Sequence, residues 1–470
     1  MSLQASSKYP QSAPPAAELS SPVLCSGCKE QFSPIGFSGY CAKCGKAWIR
    51  CHQCGRVVDA LVRFCGTDRA PIGEPLWAGG SSPKFASLSP TITYISGGVW
   101  HAPIAYAGYL WLVSVAGTVY RVSPMSSQGS VVANLGTSFG RHAFALVPGA
   151  ALAARFSASF PKGPDPKNED HAVLMNRWAQ SERILLAIVG DKEIALIDPA
   201  FPDQVRTSPA VPAGCMFVSA DEGLAGVVAH QGRFATLQHL SAATALYVWD
   251  SNTNQHESIS LTDSKICGPF LLGGDFTVYS QQSISYLANG KMVSNRFPLG
   301  FNAFIDSGDS ETELPWGRPP YVAGGGGVYV PGIRNGRITM AWAHRNEAEV
   351  RFNYFDMEYN ATYRDLGMGC LLLSEKKQLR IVRQGNVLPQ PVVRDDQLLN
   401  LPATRISEVY AAVAQSGFSR RQVRLYSDGR QLVEIGDHQR PLDLFFFPGC
   451  LSMTYRNAAE QLEIASWPLE

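Results

Sequence analysis

A strand–turn–strand pattern recurs through most of this chain, and it constrains the fold more than any other feature of the sequence. Each unit is a short apolar stretch, a polar turn and a second apolar stretch, as in Ile184–Gly190 followed by Glu193–Asp198. Eight such hairpins can be recognised, and they begin near Tyr109, Ile184, Gly226, Phe276, Val328, Cys370, Ala411 and Cys450. After the second hairpin, the starting points lie about 39 to 52 residues apart.

This spacing is typical of a β-propeller, in which each repeat forms one four-stranded blade. The 43 glycines and 31 prolines also suit a turn-rich β protein better than a helical one. We therefore expect a mainly β chain with a propeller over residues 91–470, with eight blades as the first choice and seven as the alternative. The alternation of Arg424 and Tyr426 predicts half-exposed strands. Only Arg177–Leu185 has a period that would suit a helix.

The two ends of the propeller sequence predict how its ring closes. One terminus of a propeller often completes a blade that the other terminus begins. Few residues follow the last hairpin, so we expect Pro90–Ser96 to supply the outer strand of the last blade, beside Leu462–Trp467. Two long polar segments, Ser157–His171 and Asp306–Pro320, interrupt the pattern, and we expect them to be surface loops that contact partners.

The N-terminal region contains most of the cysteines. Seven of the eleven cysteines in the chain lie within 44 positions, beside one aspartate with the same spacing. Each pair of candidate ligands is separated by two residues, and the pairs are Cys25 with Cys28, Cys41 with Cys44, Cys51 with Cys54, and Cys65 with Asp68. In a reducing compartment, such pairs are more often metal ligands than disulfides.

The ligand set predicts two Zn²⁺ sites. Zinc prefers four soft or borderline ligands in a tetrahedron, and the four thiols from Cys25 to Cys44 supply them from two turns. The other three thiols predict a second site with Asp68 as its fourth ligand, because a carboxylate also binds zinc. His52 is the rival fourth ligand, and an open or metal-free second site is the alternative.

Together, the two sites resemble the double zinc ribbon family over residues 23–73. That resemblance implies a small, metal-stabilised fold that mediates contacts. The propeller resembles the quinoprotein-dehydrogenase-like and WD-repeat families in its hairpin spacing, and Leu246–Asp250 is similar to the Trp-Asp end of a WD blade. We expect a disordered tail at residues 1–22 and a flexible linker at residues 74–90.

The net charge and the sequence motifs narrow the range of functions that we expect for this chain. The net charge of +1 argues against a general binder of nucleic acids or acidic membranes. The basic residues of the cysteine-rich unit are largely offset by its own ligand thiolates. Neither a signal peptide nor an apolar membrane span is recognisable, which predicts a cytoplasmic protein. The common catalytic motifs are missing.

Four cysteines are scattered through the propeller sequence, and we expect them to be buried and unreactive. They are Cys215, Cys267, Cys370 and Cys450.

We therefore predict a non-enzymatic, cytoplasmic interaction or scaffold protein that binds Zn²⁺ and protein partners, for example in a bacterial multi-protein assembly. One alternative is an adaptor or sensor that binds nucleic acid through the ribbons. The other is a propeller enzyme or small-ligand sensor with its site at the axis.

Overall fold

A computed structural model of the chain describes a propeller body and short pieces of the N-terminal region. The described residues are 23–24, 29, 31–32, 38–40, 47–50, 57–59, 84–95, 98, 103–106, 109–124, 126–139, 143–150, 182–198, 201–218, 226–230, 232–240, 243–251, 253–263, 265–304, 327–346, 349–367, 370–401, 403–406, 409–416, 420–427, 429–435, 440–447, 450–459 and 461–469.

Five short strands lie in the N-terminal region. Strands β1 (Val23–Leu24) and β2 (Gln31–Phe32) pair with each other in antiparallel fashion. Three further strands form a separate antiparallel sheet in the order β3 (Ser38–Tyr40), β4 (Ala47–Arg50) and β5 (Val57–Asp59). Strands of two to four residues bury little apolar surface, so they need additional stabilisation.

Eight antiparallel sheets make up the propeller, and we number them as blades 1 to 8 in chain order. The strand that opens the propeller sequence is β6 (Thr91–Tyr94). Blades 1 to 4 contain β7 (Ile104–Tyr106), β8 (Tyr109–Val113), β9 (Thr118–Val122), β10 (Ser130–Asn134), β11 (Phe144–Ala150), β12 (Glu182–Val189), β13 (Ile194–Asp198), β14 (Phe201–Thr207), β15 (Met216–Phe217), β16 (Val227–His230), β17 (Arg233–His239), β18 (Thr244–Asp250), β19 (Gln255–Ser260), β20 (Cys267–Leu272), β21 (Asp275–Tyr279), β22 (Ser283–Ala288) and β23 (Lys291–Arg296).

Blades 5 to 8 contain β24 (Phe301–Ala303), β25 (Gly327–Arg334), β26 (Arg337–Asn346), β27 (Glu349–Asp356), β28 (Thr362–Gly367), β29 (Cys370–Glu375), β30 (Gln378–Arg383), β31 (Asn386–Val387), β32 (Val393–Arg394), β33 (Thr404–Ile406), β34 (Val409–Ser416), β35 (Arg420–Ser427), β36 (Gly429–Ile435), β37 (Arg440–Phe447), β38 (Cys450–Arg456) and β39 (Leu462–Pro468). In blades 1 to 7 the four main strands pair in chain order, and in blade 8 the order is β37, β38, β39 and β6. The short β15 and β32 each add a third partner, to β17 and β30. The expectation of eight blades is thus confirmed.

The first strand of each blade lines the axis. Strand β11 contacts β16, β16 contacts β20, and β33 contacts β37, and each of these is the first strand of its blade. Because successive strands are antiparallel, the first-to-second and third-to-fourth connections lie on one face, which we call the AB face. The second-to-third and blade-to-blade connections lie on the opposite face, which we call the BC face.

Burial explains why the hairpins are visible in the sequence. The middle strands of each blade are covered on both sides by neighbouring blades, so they read as continuous apolar runs. Every residue of Leu185–Val189 in β12 is buried, for example. The outer strands β19 and β23 are mostly exposed. Each blade therefore appears in the sequence as an apolar hairpin with polar flanks.

Large aromatic side chains fill the layers between blades. Four tryptophans are almost completely buried, one each in blades 1, 3, 5 and 8, and they are Trp111, Trp249, Trp342 and Trp467. Trp249 belongs to the Trp-Asp sequence noted above and lies in β18, the third strand of blade 3. Removing one such side chain from a packed core typically costs about 3–5 kcal/mol.

The ring closes as the sequence predicts. Strand β6 is the outer strand of blade 8 and pairs with β39, with Thr93 opposite Ile464. The buried hydroxyl of Thr93 donates a hydrogen bond to the backbone oxygen of Ser126 in blade 1, so β6 also joins the first blade to the last. Before β6, the ring of Phe85 packs edge-on against Trp467, with centroids 6.4 Å apart. The N-terminal strand therefore fastens the two ends of the ring.

Several expectations need correction. Arg424 is fully buried, not half-exposed, because the connection between blades 6 and 7 covers its side of β35. In Arg177–Leu185, the residues from 182 onwards form β12 and not a helix, and the others lie outside the described residues. Of the four scattered thiols, Cys267 and Cys450 are buried, whereas Cys215 and Cys370 are only partly buried.

Other expectations concern segments that the structure leaves out. The loops Ser157–His171 and Asp306–Pro320, and the tail at residues 1–22, lie outside the described residues. In the part of the chain that is described, no helix is long and apolar enough to cross a membrane.

Candidate functional site

The predicted zinc ligands belong to the N-terminal unit. All eight lie outside the described residues, and they are Cys25, Cys28, Cys41, Cys44, Cys51, Cys54, Cys65 and Asp68. The rival ligand His52 lies outside them as well. Across the described ranges, no group of three or more His, Cys, Asp or Glu side chains could hold a metal ion.

The strands that flank the cysteines are described, and their pairing is informative. Along the chain, the first Cys-x-x-Cys pair falls between the paired strands β1 and β2, and the second falls between β3 and β4. The third falls between β4 and β5. Each of these three pairs is therefore part of a connection within a β-hairpin, where two thiols of a zinc ribbon are expected.

Strand β4 separates the second pair from the third. Tyr40 pairs with Ala47 at one end of β4, and Arg50 pairs with Val57 at the other end. Four strand residues span about 10 Å, whereas two thiolates on one Zn²⁺ lie about 4 Å apart, given bonds of about 2.3 Å.

An ion pair joins the first strands of blades 6 and 8. Arg364 on β28, in blade 6, is paired with Asp443 on β37, in blade 8. Both side chains are largely buried, and the Arg364 guanidinium lies 5.1 Å from the centre of the Phe445 ring. The pair can span blade 7 because the first strand of that blade has only three residues, against six in β28 and eight in β37. These two charges at the axis therefore neutralise each other.

A histidine also lies on an inner strand. His230 ends β16, and burial, with a smaller contribution from the nearby Arg233 cation, lowers the pKa of its imidazole. The pKa falls because both burial and a neighbouring positive charge disfavour the imidazolium form. His230 is consequently neutral at physiological pH.

A buried polar network fastens blade 7 to the connection from blade 6. Arg424 Nη1 donates to Asp395 Oδ2 at 2.5 Å, and its other nitrogens donate to the side-chain oxygens of Gln397 and Gln422. The Tyr426 hydroxyl donates to the same Asp395 oxygen at 2.7 Å. Burial and this contact with Asp395 raise the pKa of Tyr426, so its phenol stays protonated. We call these five side chains the blade 6–7 clasp.

A cavity of about 380 Å³ opens at the seam between blades 8 and 1. The described residues that line it are Tyr94, Ile95, Tyr120, Gln128, Gly129, Gln461 and Leu462. Among these lining residues there is no carboxylate, histidine or cysteine, so they offer neither a strong base nor a metal ligand. The described lining of the cavity is thus made of aromatic, aliphatic and amide side chains beside the closing strand.

Comparison with known proteins identifies no family. No family model matches the sequence, and no curated protein matches it at a significant level. Among solved structures, a computationally designed protein, Ika8, is similar with 9% identity and a TM-score of 0.42, over 80% of this chain and 97% of that chain.

Two natural structures are similar in the same way. An oligogalacturonate lyase from Vibrio parahaemolyticus has 8% identity and a TM-score of 0.40, over 83% of this chain and 95% of that chain. The β-propeller domain of the Trilobed protease from Pyrococcus furiosus has 9% identity and a TM-score of 0.36, over 61% of this chain and 93% of that chain. Because all three TM-scores are below 0.5, the propeller assignment depends on the strand pairing of this chain and not on these proteins.

Proposed function

We propose that this protein is a non-enzymatic scaffold that binds protein partners through its N-terminal unit and one face of its propeller. The observation that carries the proposal is the closed eight-bladed ring, which displays many loops on one rigid body. Its closing strand β6 is also the strand that follows the cysteine-rich unit in the chain. The segment 74–90 thus connects the unit to the seam of the ring.

The strand order supports the AB face as the contact surface. Ser157–His171 belongs to the connection from β11 to β12, and Asp306–Pro320 to the connection from β24 to β25. Both are first-to-second connections, which leave the ring on the AB face. Six other blades make this connection with only a few residues, so the two long segments are specific additions to one face.

The N-terminal unit is attached at the same face. Strand β39 is the third strand of blade 8 and ends on the AB face, where β6 begins. Phe85 forms a bridge with Leu469, and the Ala86 amide donates to the Pro468 oxygen at 3.0 Å. The chain that comes from the cysteine-rich unit therefore reaches the propeller on the face that carries both long segments.

We propose that two Zn²⁺ ions stabilise the N-terminal unit, one on Cys25 to Cys44 and one on Cys51, Cys54, Cys65 and Asp68. The donor set is seven thiolates and one carboxylate, which suits zinc. Because the five described strands have two to four residues each, they bury too little surface to be stable alone. Metal binding would supply the missing free energy of folding, so the role of zinc here is structural.

We further propose a cytoplasmic location and no catalytic role. Clustered thiols that bind metal need a reducing compartment. The paired charges of Arg364 and Asp443 at the axis suit a structural role better than a reactive one. Nothing in the geometry of the described residues favours the nucleic-acid adaptor or the axial enzyme over the scaffold.

Two measurements test the proposal. Elemental analysis of the purified chain should give about two zinc ions per molecule, and Asp68→Ala should lower this towards one. Affinity purification should recover a stoichiometric protein partner that is lost when residues 23–73 are removed or when residues 306–320 are replaced by a Gly-Ser segment of equal length. Recovery of the same partner with both variants would contradict the proposed contact surface.

A further inference from the structure

The blade 5 turn on the BC face carries an arginine whose charge is not neutralised. The guanidinium of Arg334, at the end of β25, stacks over the ring of Tyr354 with 4.2 Å between its central carbon and the ring centre. Among the described residues it makes no salt bridge or hydrogen bond, and its Nε is buried without a partner. Stacking on an aromatic ring holds the planar guanidinium in one orientation, which prepares it to bind a carboxylate.

The two acidic residues that follow Tyr354 in the chain, Asp356 and Glu358, already have partners. Asp356 receives the Arg337 guanidinium at 3.2 Å and the Thr339 hydroxyl at 3.0 Å. Glu358 is paired with Lys376 at 2.7 Å. The local positive charge at Arg334 is therefore left for an acidic group from outside the described chain.

An exposed apolar side chain lies near this arginine. Leu299 is fully exposed and stands two residues before Phe301, which pairs with Arg334. The turn and the leucine are held together, because the Asn335 amide donates to the Gly300 oxygen at 3.3 Å. A Cβ at Gly300, which has a φ of +87°, would lie 2.8 Å from the side-chain oxygen of Asn335, so this close approach requires glycine. A rigid turn thus presents a cation next to an exposed aliphatic surface.

We infer that the surface formed by Leu299 and Arg334 binds a protein segment that carries a carboxylate next to an apolar side chain. The guanidinium N–H groups of Arg334 donate to the carboxylate, and the apolar side chain of the segment packs on Leu299. Charge complementarity selects this occupant, because an unpaired, preorganised arginine gains most from a carboxylate. The interaction does not depend on zinc or on the AB face, so it adds a second contact surface to the proposed scaffold.

The probe is a pair of synthetic peptide pools, one with Glu fixed at the central position and one with Gln there, with all other positions randomised. Immobilised full-length protein should retain the Glu pool more strongly, with Leu, Ile, Phe or Met enriched beside the glutamate. Arg334→Gln should lower that retention about tenfold, the size expected for one charge-assisted hydrogen-bonded pair. Leu299→Ser should remove the apolar preference but keep the preference for glutamate.

A matched control is available in blade 1. Arg121 stacks on Tyr109 at 4.8 Å and likewise has no ion pair among the described residues, but no fully exposed leucine is identified beside it. Arg121→Gln should leave the retention unchanged. Equal retention of the two pools, or the same loss in Arg121→Gln as in Arg334→Gln, would overturn the inference. Zinc content and partner recovery through residues 23–73 should not change in Arg334→Gln, so the two proposals fail separately.

Discussion

Replacement of Asp395 by alanine should destabilise the propeller strongly, because it leaves a buried cation without its counter-charge. In the blade 6–7 clasp, the Arg424 side chain is 2% exposed and that of Asp395 is 6% exposed. Asp395 also accepts the Tyr426 hydroxyl at 2.7 Å. Breaking a buried pair by removing one partner typically costs about 3–5 kcal/mol, because the remaining charge cannot reach water.

The chain offers an exposed pair as the matched control. Arg337 and Asp356 are also paired through a guanidinium and a carboxylate, at 3.2 Å, but their side chains are 76% and 52% exposed. Exposed pairs contribute about 0–1 kcal/mol, so Asp356→Ala should have little effect. The two variants remove the same chemical group, and each lost carboxylate also accepted one hydroxyl, from Tyr426 or from Thr339. The main difference between the two pairs is their burial.

Equilibrium unfolding in urea measures both effects, and the shift of the midpoint relative to wild type is compared between the two variants. A comparison of shifts is preferable to absolute free energies, because a body of this size need not unfold in one step. Arg424→Met combined with Asp395→Leu should recover much of the loss, since an apolar pair carries no desolvation cost. Equal midpoint shifts for Asp395→Ala and Asp356→Ala would refute the argument from burial.

Other predictions follow from the closure, the metal unit and a buried phenol. Deletion of residues 90–97 should lower the melting temperature by several degrees, because β6 joins blades 8 and 1, whereas deletion of residues 23–73 should leave the propeller transition in place. Cys25→Ser should remove about one zinc ion per chain and make the N-terminal unit sensitive to protease, whereas Cys267→Ser should change neither. Burial raises the pKa of Tyr354 to about 12. The unfolded chain therefore loses this proton first, so stability should fall between about pH 10 and pH 12, and Tyr354→Phe should reduce that slope.

The blade number and the closing strand could be predicted from sequence for a physical reason. Middle strands that are covered on both sides must be apolar along their whole length. Each blade can therefore be recognised in the sequence as an apolar hairpin, such as Ile184–Asp198. The outer strand β6 was predictable because the last hairpin needs a partner that the C-terminal residues do not supply. Both inferences use local pattern and counting alone.

The buried ionic pairs could not be predicted in this way. Alternation along β35 shows on which side Arg424 lies, but not that the connection between blades 6 and 7 covers that side. The pairing of Arg364 with Asp443 joins two blades that are not adjacent in the sequence, which no local pattern encodes. The only sequence signal for Arg424 was its position between the apolar residues Val423 and Leu425.

The contact surface itself can be mapped by cross-linking the full-length chain to its co-purified protein partner with an amine-reactive reagent, followed by mass spectrometry. Lysines of the N-terminal unit and of the first long segment are Lys29, Lys43, Lys46, Lys162 and Lys167. Exposed lysines on BC-face connections include Lys192 and Lys265. The account predicts that links to a stoichiometric partner concentrate on the first group. Links confined to Lys192 and Lys265 would contradict it.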